Sequence, residues 1–206
     1  MTGKMLERGF FLQNVQDIAR SLLGMHFVRI DGNGQRLSGR IVETEVYAGK
    51  HDPASHSYRG KTSRNAVMFK PGGHLYVYFT YGMHYCCNVV TGPEGDGEAV
   101  LIRALEPLEG LDIMIRQRYK KETITQQQFK NLTNGPAKLC AAMGIDKNMN
   151  GMDLLTGECR IEAGTVIPDK DVISASRIGI RLGSDLPWRY YIRGNEWVSR
   201  RGEEKR

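Results

Sequence analysis

Twice between residues 25 and 90 the chain runs through β-branched and aromatic side chains, turns at glycine, and runs back. Met25 to Ile30 is followed by DGNG at Asp31 to Gly34, residues that tolerate positive φ, and then by Leu37 to Tyr47, the pattern of a β-hairpin. The stretch LYVYFTYGMHYCCNVV repeats it, with runs Leu75 to Thr80 and Tyr85 to Val90 joined near Tyr81-Gly82. Glu98 to Ala104 reads as a further strand. Cys159 to Ile161, Val172 to Ile180 and Trp188 to Ile192 read as short strand-like runs among Gly and Asp turns. Helical spacing is interspersed. Asn14 can cap a helix with Val15, Ile18, Ala19, Leu22 and Leu23 on one face and Gly24 as its stop. Leu108 to Tyr119 carries a second helical pattern, and Gly135-Pro136 opens a third through Met143. The expected fold is a mixed α/β (α+β) domain over residues 1–206, with a curved, mostly antiparallel β-sheet, a projecting β-hairpin and a mobile charged tail at 200–206.

The 206 residues leave room for one sizeable core and are few for two ordinary domains. Lys and Arg number 29 against 23 Asp and Glu, and the net charge of +6 favours polyanionic partners without demanding one. No run approaches the roughly 18 apolar residues of a membrane span, and MTGKMLERGFF lacks the apolar core of a signal peptide. A soluble intracellular protein is expected, cytoplasmic and nucleoid-associated in a bacterium or nuclear in a eukaryote. Cys86, Cys87, Cys140 and Cys159 form no C-x-x-C pair and no ligand spacing with the histidines, so buried thiols and no metal are expected.

Between Ala48 and Gly73 periodicity stops, and basic side chains gather among Ser and Gly in a long loop, a candidate binding surface. Just before it, VETEVYAG alternates: Glu43, Glu45 and Tyr47 take one face of a strand, and Val42, Thr44 and Val46 the other. Spacing alone leaves two readings open, a solvated outer face or a carboxylate site beside an aromatic. Tyr76 and Tyr78 likewise read either as ordinary strand residues or as a stacking surface for a base. Tyr81, near the turn, is harder to explain structurally.

VETEVY, the DPASHS histidine segment, MFKPGGHLYVYFTYGMHYCCN, GDGEAVLIRALEPLEG and NGPAKLC follow one another in this order. With RIGI around Arg177 and YYIRGNEWVS near the end, they make the chain resemble the alkyladenine (3-methyladenine) DNA glycosylase family over nearly its whole length. The resemblance implies a monofunctional glycosylase that flips alkylated or deaminated purines out of double-stranded DNA, of the 3-methyladenine, 7-methylguanine, hypoxanthine and ethenoadenine class. Hydrolysis of the N-glycosidic bond leaves an abasic site for base excision repair. The resemblance implies Glu45 as the catalytic base, with Arg103 and a backbone carbonyl near Ile173 holding the water. Tyr47, His56, Tyr78 and Asn88 are implied for the base pocket, and Tyr81 for intercalation. After His56 the sequence is one residue shorter than the family pattern, and Lys61, Ser63 and Arg64 stand there as candidate phosphate contacts. The enzyme is expected to need no cofactor and to act as a monomer away from membranes. The alternative is a non-catalytic nucleic-acid-binding module. A glycoside hydrolase is disfavoured because Glu43 and Glu45 point the same way and would not flank a sugar. A zinc deaminase is disfavoured by the lack of H-x-E with P-C-x-x-C.

Overall fold

The computed structural model describes residues 3–80 and 82–199; Tyr81 and the tail at 200–206 lie outside the described residues. Helix α1 (Val15–Ser21) begins where expected, because Asn14 Oδ1 accepts from the free N–H groups of Gln16 (2.9 Å) and Asp17 (3.4 Å). Its apolar face, Val15, Ile18 and Ala19, is buried. Gly24 ends the turn that follows, at φ 83°, and a β-carbon there would collide with the Thr165 carbonyl.

Strands β1 (His26–Ile30) and β2 (Arg36–Ala48) form the first hairpin, and β3 (Leu75–Thr80) and β4 (His84–Thr91) the second. They join β5 (Glu98–Glu109) and β6 (Cys159–Glu162) in the order β3-β4-β5-β2-β1-β6, every pairing antiparallel. Two short strands, β7 (Val172–Ala175) and β8 (Arg189–Ile192), pair with each other, and β8 pairs with β2 over Glu43 to Glu45. That segment of β2 therefore has a strand on both edges. The remaining helices are α2 (Leu111–Tyr119), α3 (Gln126–Lys130) and α4 (Pro136–Met143).

Side-chain alternation gives the sheet two faces with different contents. Val46, Leu75, Val77, Val89, Val100 and Ile102 pack into the main core with α1 and with Leu139, Ala142 and Met143 of α4. Tyr76, Val90 and Ala99 belong to the opposite face and pack on Met68 from the loop. All four cysteines are buried and free, as expected.

The structure departs from the sequence reading in several places. The helix expected from Leu108 starts at Leu111, because β5 stays paired with β2 as far as Ser38↔Glu109 and Gly110 then turns at φ 75°. The strand expected over Val172 to Ile180 stops at Ala175, where its pairing with β8 runs out. Helix α3, with a Thr125–Gln128 capping box, was not anticipated. The loop from Ala48 to Gly73 also holds two short 3-10 turns, Gly49–His51 and Ala66–Phe69. Asn65 staples it: Nδ2 donates to the carbonyls of His56 (2.8 Å) and Gly60 (3.0 Å), and Oδ1 accepts from Thr62 N–H (2.6 Å).

Candidate active site

The two carboxylates of VETEVY are fully buried, which removes the reading of a solvated outer face. A local irregularity places them. Pairing of β2 with β5 runs Ile41↔Leu105, then Glu43↔Ala104, then Thr44↔Ile102, so Val42 and Arg103 are left out of the ladder. Bulges of this kind re-aim side chains. Thr44 and Val46 face the core as expected, and Thr44 Oγ1 donates to the Ala19 carbonyl at 2.9 Å. Val42 does not: it packs with Ala104, Tyr191 and Val198 in a separate small cluster, because the bulge breaks the alternation there.

Arg103 stands between the two glutamates. Its Nε donates to Glu43 Oε1 at 3.0 Å, and its Nη1 lies 3.2 Å from Glu45 Oε1. Glu43 also accepts from Arg189 Nη1 (3.0 Å), Ser199 N–H (2.7 Å) and Ser199 Oγ (3.0 Å), so both its oxygens are engaged. Glu45 Oε1 accepts from Ile178 N–H at 2.7 Å, and its Oε2 accepts from Tyr47 Oη at 3.2 Å. Burial raises the Glu45 pKa above the ordinary carboxylate range; Arg103 and the Ile178 N–H oppose that shift, and Glu43 adds to it.

Tyr47, Arg103 and Ile178, the three partners of Glu45, line a cavity of about 320 Å³, and Glu45 lies behind them. His56, Tyr76, Tyr78 and Asn88 line it as well. Register explains the convergence, since directly paired residues share a face: Tyr76↔Asn88, Tyr78↔Cys86 and Asn88↔Leu101 carry the same face from β3 to β5. The Tyr76 and Tyr78 rings stack at 5.7 Å, and His56 meets Tyr78 edge-on at 4.6 Å. His56 Nδ1 is 3.0 Å from Tyr76 Oη. Burial, and then the charge of Arg64, lower the His56 pKa, and burial pushes the Tyr76 phenol up to about 12. Asn88 Nδ2 donates to the Tyr76 carbonyl at 3.2 Å, so the side chain bonds strand backbone and lines the cavity at once.

Not every expected residue converges. Lys61, Ser63 and Arg64 are exposed on the loop and do not line the cavity. Tyr81 lies outside the described residues; on either side of it Phe79 is 49% exposed and Met83 70% exposed. The backbone expected near Ile173 is displaced. Ile173 pairs with Tyr191 and packs on the Val42 cluster, whereas Ile178, beyond the end of β7, brings its backbone to Glu45.

Sequence reasoning also missed a buried ion pair. Arg177 and Asp52 form an ion pair with both side chains fully buried, the second bond running from Arg177 Nη2 to Asp52 Oδ1 at 2.9 Å. The guanidinium lies between the rings of Tyr47 (5.1 Å) and Trp188 (5.2 Å), and its Nη1 donates to the Val46 carbonyl at 2.8 Å. It thereby ties the loop carrying His56 to the wall formed by Tyr47. RIGI and DPASHS each carry one partner, but their spacing of 125 residues gives no pairing signal.

Residues 9–196 match the sequence profile of the methylpurine-DNA glycosylase family. A protein of Burkholderia lata is 50% identical over 200 residues, covering 96% of this chain and 92% of its own length. One of Carboxydothermus hydrogenoformans is 49% identical over 198 residues, covering 96% and 100%, and one of Clostridium acetobutylicum is 46% identical over 200 residues, covering 94% and 97%. Each is named "Putative 3-methyladenine DNA glycosylase". With a profile that spans nearly the whole chain and relatives at half identity, the chain belongs to the methylpurine-DNA glycosylase family and is a DNA glycosylase, a hydrolase of DNA repair.

Proposed function

We propose that the cavity receives one damaged purine flipped from double-stranded DNA and that Glu45 activates the water that displaces it. The observation that carries this reading is the setting of Glu45: a buried carboxylate backed by Arg103 and the Ile178 N–H, with Oε2 bonded only to Tyr47 among the described residues. Oε2 is thus the oxygen with capacity to take a water. Glu43 is set differently: it accepts three bonds on Oε1 and one on Oε2, and its holders Arg189 and Ser199 do not line the cavity.

In the reaction the water oxygen bonds to the sugar C1′, Glu45 takes its proton, and the C1′–N bond breaks with its electron pair leaving on the base. A cationic base such as 3-methyladenine departs neutral and needs no further acid. Tyr47, Tyr78 and His56 give it aromatic walls, and a lowered His56 pKa keeps that wall uncharged at neutral pH. Neutral lesions such as hypoxanthine or ethenoadenine leave less readily and depend on hydrogen bonds to the base edge. A cavity of about 320 Å³ is at the small end for ligand sites, suited to one base rather than to a nucleotide. In this reading residues 1–206 act as one monomeric glycosylase domain, with Tyr81 entering the duplex and the basic loop touching phosphate.

Glu45→Gln tests the reading. The variant should bind a lesion-containing duplex as the wild type does and release base at least about 100-fold more slowly in single turnover. Near-wild-type release would remove Glu45 from the role of base.

A further inference from the structure

Glu43 is the second carboxylate of the site, and the proposed reaction does not use it. It is fully buried, yet it accepts four hydrogen bonds that come from β5, β8 and the C-terminal segment. One of these donors, Arg103, also reaches the base. We infer that Glu43, clasped by Ser199, is a positioning residue: it holds Arg103 by Nε so that Nη1 addresses Glu45, and the C-terminal segment completes the active site from behind. This rests on the assignment of Glu45 as the base.

The geometry of the guanidinium makes the case. Arg103 has one fork edge, Nε and Nη2, and a remaining nitrogen, Nη1. Nε is on Glu43 at 3.0 Å, and Nη2 donates to Ser199 Oγ at 3.2 Å, while Ser199 Oγ and N–H both donate to Glu43. The outer edge is thus fixed by two partners that are bonded to each other, and Nη1 is left beside Glu45 Oε1 at 3.2 Å. A planar guanidinium held along one edge has no freedom to rotate, so the direction of Nη1 is set by groups that touch neither water nor base.

Charge completes the argument. Glu43 and Glu45 are balanced by Arg103 and Arg189, which stands opposite Glu45 in the β2–β8 register and reaches back to Glu43 at 3.0 Å. Among the described residues around the site, two buried carboxylates thus stand beside two guanidiniums, the kind of pairing that a low-dielectric environment requires. The groups around Glu45 are Glu43 and Tyr47 on β2, Arg103 on β5, Arg189 on β8, and the Ile178 N–H. Tyr78 and Cys86 on the β3–β4 hairpin and the Asp52–Arg177 pair behind Tyr47 form the next layer. Among these, Glu43 contributes the repulsion that makes Glu45 hold its proton more tightly.

Glu43→Gln keeps the shape of the side chain and is the first test. Single-turnover excision is measured from pH 4 to 9 beside wild type and Glu45→Gln, with binding to a lesion duplex recorded for each. The acid limb of the Glu43→Gln profile should move to lower pH, and its plateau should fall about 10- to 100-fold, the scale of a misplaced catalytic partner, with lesion binding within about threefold of wild type. An unmoved limb overturns the inference, including when the plateau falls, because general loosening lowers rate without shifting the titration of Glu45. Should Glu43→Gln not fold, Ser199→Ala carries the test: the plateau should fall severalfold with unchanged lesion binding and melting temperature, and a wild-type plateau overturns the clasp. Activity retained by Glu45→Gln would instead show that the base itself is misassigned. An inactive Glu45→Gln with an unmoved Glu43→Gln limb would overturn the role of Glu43 alone.

Discussion

Arg177→Leu should be among the most damaging single substitutions in the protein, although residue 177 does not line the cavity. Both side chains of the Asp52–Arg177 pair are completely buried. Without the guanidinium, Asp52 keeps, among the described residues, the N–H groups of Ala54 (3.0 Å) and Ala48 (3.3 Å) to hold its charge. Removing one partner of a buried pair costs about 3–5 kcal/mol, since the other charge is left uncompensated. At about 2–4 °C per kcal/mol for a chain of this size, the melting temperature should fall by about 6–20 °C. Calorimetry or circular dichroism reads this directly. The double variant Asp52→Asn/Arg177→Leu should recover part of the loss, because the orphaned charge is gone. Excision measured well below the melting point should also drop in the single variant, as Arg177 backs the Tyr47 ring and immediately precedes the Ile178 N–H that holds Glu45. A fall in melting temperature below about 3 °C, or a double variant as unstable as the sum of its parts, would refute this account of the pair.

Asn88→Ala should raise excision of guanine-type bases relative to hypoxanthine by about one to two decades, because the 2-amino group then meets neither a clash nor a polar group robbed of its hydrogen bonds, worth about 1–3 kcal/mol. An unchanged ratio in folded protein would mean that Asn88 serves only its bond to the Tyr76 carbonyl. Glu162 is held by Arg36 and Arg160 and by the Gly3 N–H, and the Arg36 hydrogen bonds lower its pKa to about 2. A depressed carboxylate stabilises the fold above its unfolded pKa of about 4.3 and loses that contribution as pH falls toward about 2. Denaturant titrations between pH 7 and 2 should therefore show a decline in wild type that is shallower in Glu162→Gln, and parallel curves would count against it.

What could be read from the sequence was local. The Asn14 cap, the two hairpins and the proline-opened helix depend on neighbouring residues, and each stands within a residue or two of its expected place. The face shared by Glu43, Glu45 and Tyr47 followed from alternation, but not the burial of that face, which depends on β5 and β8 pairing along both edges of β2. The bulge at Val42 has no composition signal, so the departure of Val42 from the core was invisible. Ile178 was missed for a related reason. VISASRIGI looks like one strand, and only the four-residue length of β8 stops its pairing at Ala175 and frees the following backbone to turn toward Glu45. The Asp52–Arg177 pair joins two segments far apart in the chain, and a lone Asp in a loop looks like an ordinary turn residue.

The bulge is also where the fold and the chemistry meet. Pairs on either side of it sum to the same number, Ile41 with Leu105 and Glu45 with Leu101 both giving 146, so an undistorted ladder would set Glu43 directly opposite Arg103. In that register Arg103 would face Glu43 directly and Glu45 only along the diagonal. The observed pairing of Glu43 with Ala104 releases Arg103 from the ladder and lets its side chain lie between Glu43 and Glu45. Two residues of the same type on the same strand thereby acquire different tasks. Glu43 accepts four hydrogen bonds from three elements and is fixed in place. Glu45 keeps an oxygen facing only Tyr47, in front of which lies the cavity. Glu45 has no surface of its own, and Tyr47, Arg103 and Ile178, which hold it, line the cavity proposed to receive the base. In the proposed reaction a base seated between Tyr47 and His56 would cover these residues, and the water would have to enter before or with it.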